Sequence, residues 1–304
     1  MLLDRYCGCQ PAYTACSWHL VTPKEKGTGK RKPGSIYCRN TTMLRSMFMH
    51  VWKEKGRKVF LSLMAFAFLL VGGIWYAKEY TTVGNSVNGR EMPVCSVETE
   101  EKEMALTFET AWGEERTGDI LDLLKKEGVR ATFFVTESWM RNHPELIARM
   151  KEEGHDIGTL GVSHEDLSQK TGEEQRSELR EAKKAAHEYG ISMEFFRPPY
   201  GNYNDSLIRT AWEEGFYTVR WSVDSMDWKN YGPESLIQTV TKSKEFGSGA
   251  IVRLNSEAED TKGALKELIR MIQKKGYHLV PVSELIHRGK YHMDVNGRQI
   301  PGLT

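Results

Sequence analysis

The chain has 304 residues, of which 27% are charged and 39% hydrophobic, and its formal net charge is +1. That length admits one large α/β domain with roughly 60 to 90 residues left over, and the composition excludes a fibrous or wholly disordered chain. The charge is unevenly divided: residues 1–58 carry 12 Lys/Arg against 3 Asp/Glu, net +9, so residues 59–304 carry −8, and an acidic main part without a basic stripe excludes a nucleic-acid binder.

Residues 1–57 form a basic N-terminal segment, read as a disordered cytoplasmic tail or as the product of a misassigned start codon, with Met43, Met47 and Met49 further along. Its cysteines, Cys7, Cys9, Cys16 and Cys38, have no zinc-finger spacing. The run KVFLSLMAFAFLLVGGIWYA, residues 58–77, is uncharged from Val59 onward and nearly long enough to cross a bilayer. Lys53, Lys55, Arg57 and Lys58 precede it, so the expectation is a single-pass membrane helix with the N-terminus cytoplasmic and the rest extracytoplasmic. A cleaved signal peptide is the second reading, and bulky Trp75 and Tyr76 oppose it. Cys95, alone on the exported side, is either free or bridges two chains.

Residues 78–101 read as a polar linker, 102–287 as the folded domain and 288–304 as a C-terminal tail. Within the domain one pattern repeats: a charged helical segment ends at a glycine and leads into an apolar strand. Gly128, Gly154, Gly190, Gly215, Gly247 and Gly276 are expected left-handed helix caps, and with MALTF ahead of them they announce seven strands. Helical stripes are expected at Leu265, Leu268, Ile269 and Ile272 and at Leu207, Ile208, Ala211 and Trp212. Strands alternating with helices imply a parallel sheet, here a distorted seven-stranded (β/α) barrel, with an open doubly wound sheet as the alternative. The segments VNGREMP, residues 87–93, and VNGRQIP, residues 295–301, bracket the domain and each holds an Asn-Gly turn signal.

Barrel chemistry sits at the carboxyl ends of strands. Those ends read FETAWG, TLGVSHEDL, FRPPYGNYN, WSVDSMDWK and VRLNSEAED. In this order and spacing they resemble the motifs of the polysaccharide deacetylase family, the NodB homology domain of carbohydrate esterase family 4. The resemblance implies hydrolysis of N-acetyl groups on peptidoglycan or chitin-like glycans, with zinc or another divalent metal held by one Asp and two His, an Asp base and a His acid.

Carried over by position, Glu109 stands at the base and Thr110 at the metal-binding Asp, while Leu160 replaces one metal histidine and His164 keeps the other. Arg197, Tyr200, Asp227 and Trp228 match their motifs, Asn255 replaces the acid histidine, and Arg253 replaces a pocket leucine. Trp112, Tyr200, Trp228 and Arg253 are the expected glycan contacts. One imidazole with a threonine and a leucine does not make a three-ligand zinc site, and a neutral amide cannot protonate a leaving amine. No cofactor is therefore expected in this copy. The preferred reading is a membrane-anchored family member that binds cell-wall glycan or an envelope protein with little or no turnover. An active deacetylase with an atypical metal site at Glu109 and His164 is the alternative. Bland roles also stand for several residues: His164 capping its turn with Asp166, Arg197 and Asp227 as a structural ion pair, and Arg253 pairing with Asp227.

Overall fold

Strand β1, Glu103–Thr110, is buried along nearly its whole length, and its alternate side chains serve two different cores. Met104, Leu106 and Phe108 join the larger cluster under the helices, while Ala105 joins the smaller cluster with Phe134, Leu160 and Ile251. This is the period-two alternation of a strand with both faces covered. It puts Thr107 and Glu109 on the same face as Ala105, so the interior of the sheet becomes polar toward its carboxyl end.

A computed structural model describes residues 56, 58–69, 71, 83–84, 86–113 and 116–302. The strands after β1 are β2 (Thr132–Val135), β3 (Asp156–Thr159), β4 (Phe195–Phe196), β5 (Tyr217–Thr218), β6 (Val223–Asp224), β7 (Ile251–Asn255) and β8 (His278–Leu279). They form one eight-stranded parallel sheet in the order β6-β7-β1-β2-β3-β4-β5, with β8 beside the start of β1. All seven expected strand segments are present. The fifth is broken, so that its first part pairs with β4 and its second with β7. The two ends of the sheet path therefore lie in one stretch of chain, 217–224.

The break is filled by Val94–Val97. Val94 N donates to Thr218 O, Arg220 N donates to Val94 O, and Val97 N donates to Gly249 O. Of the six expected cap glycines, five have positive φ and Gly247 does not; Gly249 takes the left-handed conformation instead, at φ 77°. A Cβ on Gly249 would lie 1.7 Å from the Val97 carbonyl oxygen. The glycine is thus required by the inserted segment rather than by a helix end.

The residues read as linker and tail pair with each other. Ser96–Val97 lies parallel to Arg298–Pro301, which runs antiparallel to Tyr291–Met293, and Val83–Gly84 completes a four-stranded sheet. The two similar Asn-Gly segments close different hairpins. Asn88-Gly89 is a two-residue turn between Val87 and Arg90, with φ of 52° and 78°. In the second, Asp294 accepts from the N–H groups of Asn296 and Arg298, and the loop is longer.

The stripe Leu265, Leu268, Ile269 and Ile272 is buried in the helix Glu259–Lys274, as expected. In the helix Asp205–Glu213 the buried set is Leu207, Ile208, Thr210 and Ala211, and Trp212 faces outward, where its ring edge meets Tyr217. Cys95 is free and buried, with its Sγ 3.7 Å from the Pro93 carbonyl oxygen, so it does not offer itself to a second chain.

The expected membrane helix lies partly outside the described residues. Residues 58–69 are helical with exposed side chains and belong to a unit separate from 70–304. Among the described residues no helix is long and apolar enough to cross a membrane.

The two glycines of the turn before β7 give a paired test. Gly249→Ala should cost roughly 3 kcal/mol in urea unfolding, through overpacking against Val97 and a strained φ. Gly247→Ala, with its nearest neighbour atom 4.0 Å from the new Cβ, should change stability by less than about 1 kcal/mol. Equal effects would show that the inserted segment does not constrain the turn.

Candidate functional site

The carboxyl ends of β1, β3, β4, β6 and β7 converge on a cavity of about 350 Å³ lined by Glu109, Ala111, Trp112, His164, Tyr200, Trp228, Arg253 and Asn255. Seven of these eight are residues the sequence motifs select. Thr110, Leu160, Arg197 and Asp227 are buried but do not line the cavity.

Arg197 is fully buried behind the floor. Its Nη2 donates to Thr107 Oγ1 at 2.8 Å and to Arg220 O at 2.9 Å, and its Nε donates to Val219 O at 3.3 Å. The guanidinium stacks on Phe134, 4.1 Å from the ring centroid, and stands 3.7 Å from Glu109 Oε1. Burial pulls its pKa down, to about 9, against the opposing pull of Glu109, and it remains cationic at neutral pH. Its carboxylate neighbour is therefore Glu109, not Asp227.

Arg253 sits on β7 opposite Thr107 of β1 and Asp224 of β6. Its Nη2 donates to Glu109 Oε2 at 2.9 Å and its Nη1 to Asp224 Oδ2 at 3.2 Å. The guanidinium stacks on Trp221, 4.5 Å from the ring centroid. Burial lowers its pKa, but Glu109 and Asp224 outweigh that and hold it above its ordinary value. The expected pair with Asp227 does not form, because strand register sets Asp224 beside Arg253 while Asp227 belongs to the turn beyond.

Asp227 is instead a tether. Its Oδ2 accepts from Asn255 N at 2.6 Å and from the Thr261 hydroxyl at 2.7 Å. Burial raises its pKa, opposed by those two hydrogen bonds. The Asn255 side chain accepts from Glu257 N at 2.9 Å, holding the turn after β7.

His164 is only 7% exposed, and neither ring nitrogen has a hydrogen-bond partner among the described residues. Its ring packs edgewise against Trp112 and Tyr200, with centroids 5.2 and 4.8 Å away. Burial lowers its pKa and favours the neutral imidazole. Asp166 accepts from Ser168 and Asn202, so the expected cap between His164 and Asp166 is not made. His164, Tyr200 and Met226 all hold left-handed φ values, 63°, 60° and 58°. Such conformations in non-glycine residues cost on the order of 1 kcal/mol each and gather where surrounding packing enforces a special geometry.

A divalent metal does not fit the three positions that correspond to the family's ligands. Thr110 offers a buried hydroxyl without a partner, Leu160 offers only methyl groups within the apolar cluster, and His164 is the one imidazole. Among the described residues no three His, Cys, Asp or Glu side chains converge as a metal-binding group. Glu109, the nearest substitute, has its Oε2 occupied by Arg253.

Sequence reasoning missed Asp224. The segment WSVDSMDWK contains two aspartates, and only the pairing of β6 with β7 shows that the first one faces Arg253.

The sequence profile described as polysaccharide deacetylase matches residues 96–219. A peptidoglycan-N-acetylglucosamine deacetylase of Bacillus cereus is 35% identical over 195 residues, which is 62% of this chain and 91% of the relative. The peptidoglycan-N-acetylmuramic acid deacetylase PdaA of Bacillus subtilis is 32% identical, over 62% of this chain and 73% of the relative. The crystal structure of wild-type BA3943 from Bacillus anthracis, described as a CE4 family pseudoenzyme, superposes with a TM-score of 0.61 at 25% identity, covering 69% of this chain and 73% of that one.

Removing the Arg253 cation should leave Glu109 and Asp224 undercompensated. Arg253→Leu is expected to lower unfolding free energy by about 3 kcal/mol, and adding Asp224→Asn, which removes a carboxylate that pairs with Arg253 and not with Arg197, should recover part of it. Strict additivity of the two substitutions in denaturant titrations would contradict the pairing.

Proposed function

Because the chain belongs to the polysaccharide deacetylase family, we propose that it is a cell-envelope protein that binds N-acetylated wall glycan in the cavity and has little or no deacetylase turnover. The observation that carries this reading is the Arg253 guanidinium on Glu109 Oε2. A base must be free to accept a proton from the attacking water. Glu109 is instead engaged by one guanidinium and faces a second, that of Arg197. With Leu160 and Thr110 at ligand positions and Asn255 at the acid position, activation of water, stabilisation of charge and protonation of the amine all lack their groups. A single general acid is worth roughly 10²- to 10⁴-fold, so these losses together remove most of the rate.

Binding needs none of those groups. Trp112, Tyr200 and Trp228 are exposed aromatic rings at the cavity mouth. Each presents an apolar face to a pyranose. The Bacillus cereus and Bacillus subtilis deacetylases named above act on peptidoglycan, which supports a wall glycan as the ligand. The apolar run from Val59 to Ala77, with basic residues before it, supports anchorage in the cell membrane with the domain outside. An active enzyme with a metal on Glu109 and His164 is the less favoured reading, since one Glu109 oxygen is bound to Arg253 and the other is buried facing Arg197.

The full chain should contain no stoichiometric zinc or cobalt and release no acetate from N-acetylglucosamine oligomers, yet sediment with insoluble peptidoglycan. Thr110→Asp with Leu160→His and Asn255→His should restore metal binding, and appreciable acetate release should require Arg253→Leu as well. Chelator-sensitive acetate release by the wild type would overturn the reading. Failure of the wild type to sediment with peptidoglycan would remove the glycan part of it.

A further inference from the structure

The tetrapeptide Val-Asn-Gly-Arg occurs twice, at 87–90 and at 295–298, and the cavity uses neither copy. An Asn-Gly pair can react with itself, because a glycine carries no side chain to crowd the approach of its nitrogen to the asparagine Cγ. The N–Cγ bond forms and the Cγ–Nδ2 bond breaks, and the proton given up by the glycine nitrogen leaves with the amide as ammonia. Water then opens the cyclic imide at one carbonyl or the other, giving aspartate or isoaspartate. No oxidant, metal or second protein is needed. With the local sequence fixed, the fold sets the rate: the glycine N–H must be free, and the pair must be able to leave its folded conformation.

The first copy meets both conditions. Asn88 and Gly89 are exposed and form the turn of an isolated hairpin whose strands, Ser86–Val87 and Arg90–Glu91, have two residues each. Val87 pairs with Arg90, so the ladder bypasses Gly89, whose N–H has no acceptor among the described residues. Its polar ties to the helix Asp205–Glu213 are at Glu91, past the turn, where N donates to Asp205 Oδ1 at 3.2 Å and the carboxylate lies 3.8 Å from Arg209. A two-stranded hairpin of this size opens at little cost.

In the second copy the same four residues are locked. Gly297 is buried, its N donates to Asp294 O at 3.1 Å, and its carbonyl accepts from Cys95 N at 2.7 Å. Asp294 Oδ1 accepts from Asn296 N and Arg298 N, both at 2.8 Å. A Cβ on Gly297 would stand 2.7 Å from the Pro93 carbonyl oxygen, so this peptide has no room to turn toward the Asn296 side chain.

We propose that Asn88 is a site of spontaneous deamidation and isomerisation, and that Asn296, in the identical tetrapeptide, is protected by the fold. This is independent of the reading of the cavity. Asn88 shares a surface groove with Glu91 and Asp205, so the product adds a carboxylate where two already stand. Isoaspartate also routes the chain through Cβ, which lengthens the backbone of a two-residue turn and takes Val87 out of register with Arg90.

The test follows loss of ammonia at both asparagines of the full chain by peptide mass spectrometry, in mildly alkaline buffer at body temperature, with the chain folded and with it unfolded in guanidinium chloride. In the folded chain Asn88 should react at least about tenfold faster than Asn296, the ratio that about 1.4 kcal/mol of extra opening cost produces. In the unfolded chain the two rates should become equal. Gly89→Ala, whose added methyl group meets nothing within 4 Å, should slow the loss at Asn88 and leave Asn296 as it was. Equal rates in the folded chain, or no loss at Asn88 over a period that fully converts the unfolded chain, overturns the proposal. A preference for Asn88 that persists on unfolding belongs to the residues flanking the tetrapeptide and overturns the protection assigned to the fold.

Discussion

A guanidinium placed in the middle of a β-sheet interior must be compensated, and much of this domain is arranged around meeting that demand for Arg197. Taking a cation out of water costs several kcal/mol unless hydrogen bonds and an opposite charge replace the solvent. Here the donors reach the Val219 and Arg220 carbonyls, which lie where the fifth strand breaks, and the Thr107 hydroxyl on β1. The break and the charge thus explain each other. A regular strand would turn the Val219 and Arg220 carbonyls into a ladder, and the buried guanidinium would lose two acceptors.

Glu109 completes the compensation, and that is why its chemistry cannot be considered apart from the fold. One of its oxygens faces Arg197 and the other binds Arg253, which is itself shared with Asp224. Two cations and two carboxylates make a network of balanced charge directly beneath the cavity. Arg253 brings a fixed positive charge to the floor, but a guanidinium has no open coordination position and no acidic water to offer. The charges balance, although Glu109 Oε1 and Arg197 Nη1 face each other at 3.7 Å without a hydrogen bond. At the mouth, the Trp112 and Tyr200 rings pack edgewise on His164, and His164, Tyr200 and Met226 hold left-handed backbone.

How much of this was legible in advance differs from element to element. Glycines at helix ends were readable at Gly128, Gly154, Gly190, Gly215 and Gly276, because a left-handed cap is a local requirement. Gly247 failed, because the requirement two residues later at Gly249 comes from Val97, about 150 residues away in sequence. The helix Asp205–Glu213 kept three of its four expected buried positions and lost Trp212, whose size suits contact with Tyr217 outside the core better than burial. The segments taken as linker and tail formed a sheet because each supplies an edge for the other, a pairing that no single segment announces.

The amino-acid sequence by itself determined the alternation of strands and helices, the direction of the sheet and the set of side chains at its carboxyl end, because hydrophobic period and turn chemistry act over a few residues. It also determined which groups are missing from the site, since identity at a motif position is read directly. What only the tertiary structure decided is the choice of partners. Arg253 meets Glu109 and Asp224 rather than Asp227, and Asp227 becomes a tether for Asn255 and Thr261, because strand register and the inserted Val94–Val97 segment set which charges face one another. Buried charges pair with whatever the register places within reach, and register is a property of the whole sheet.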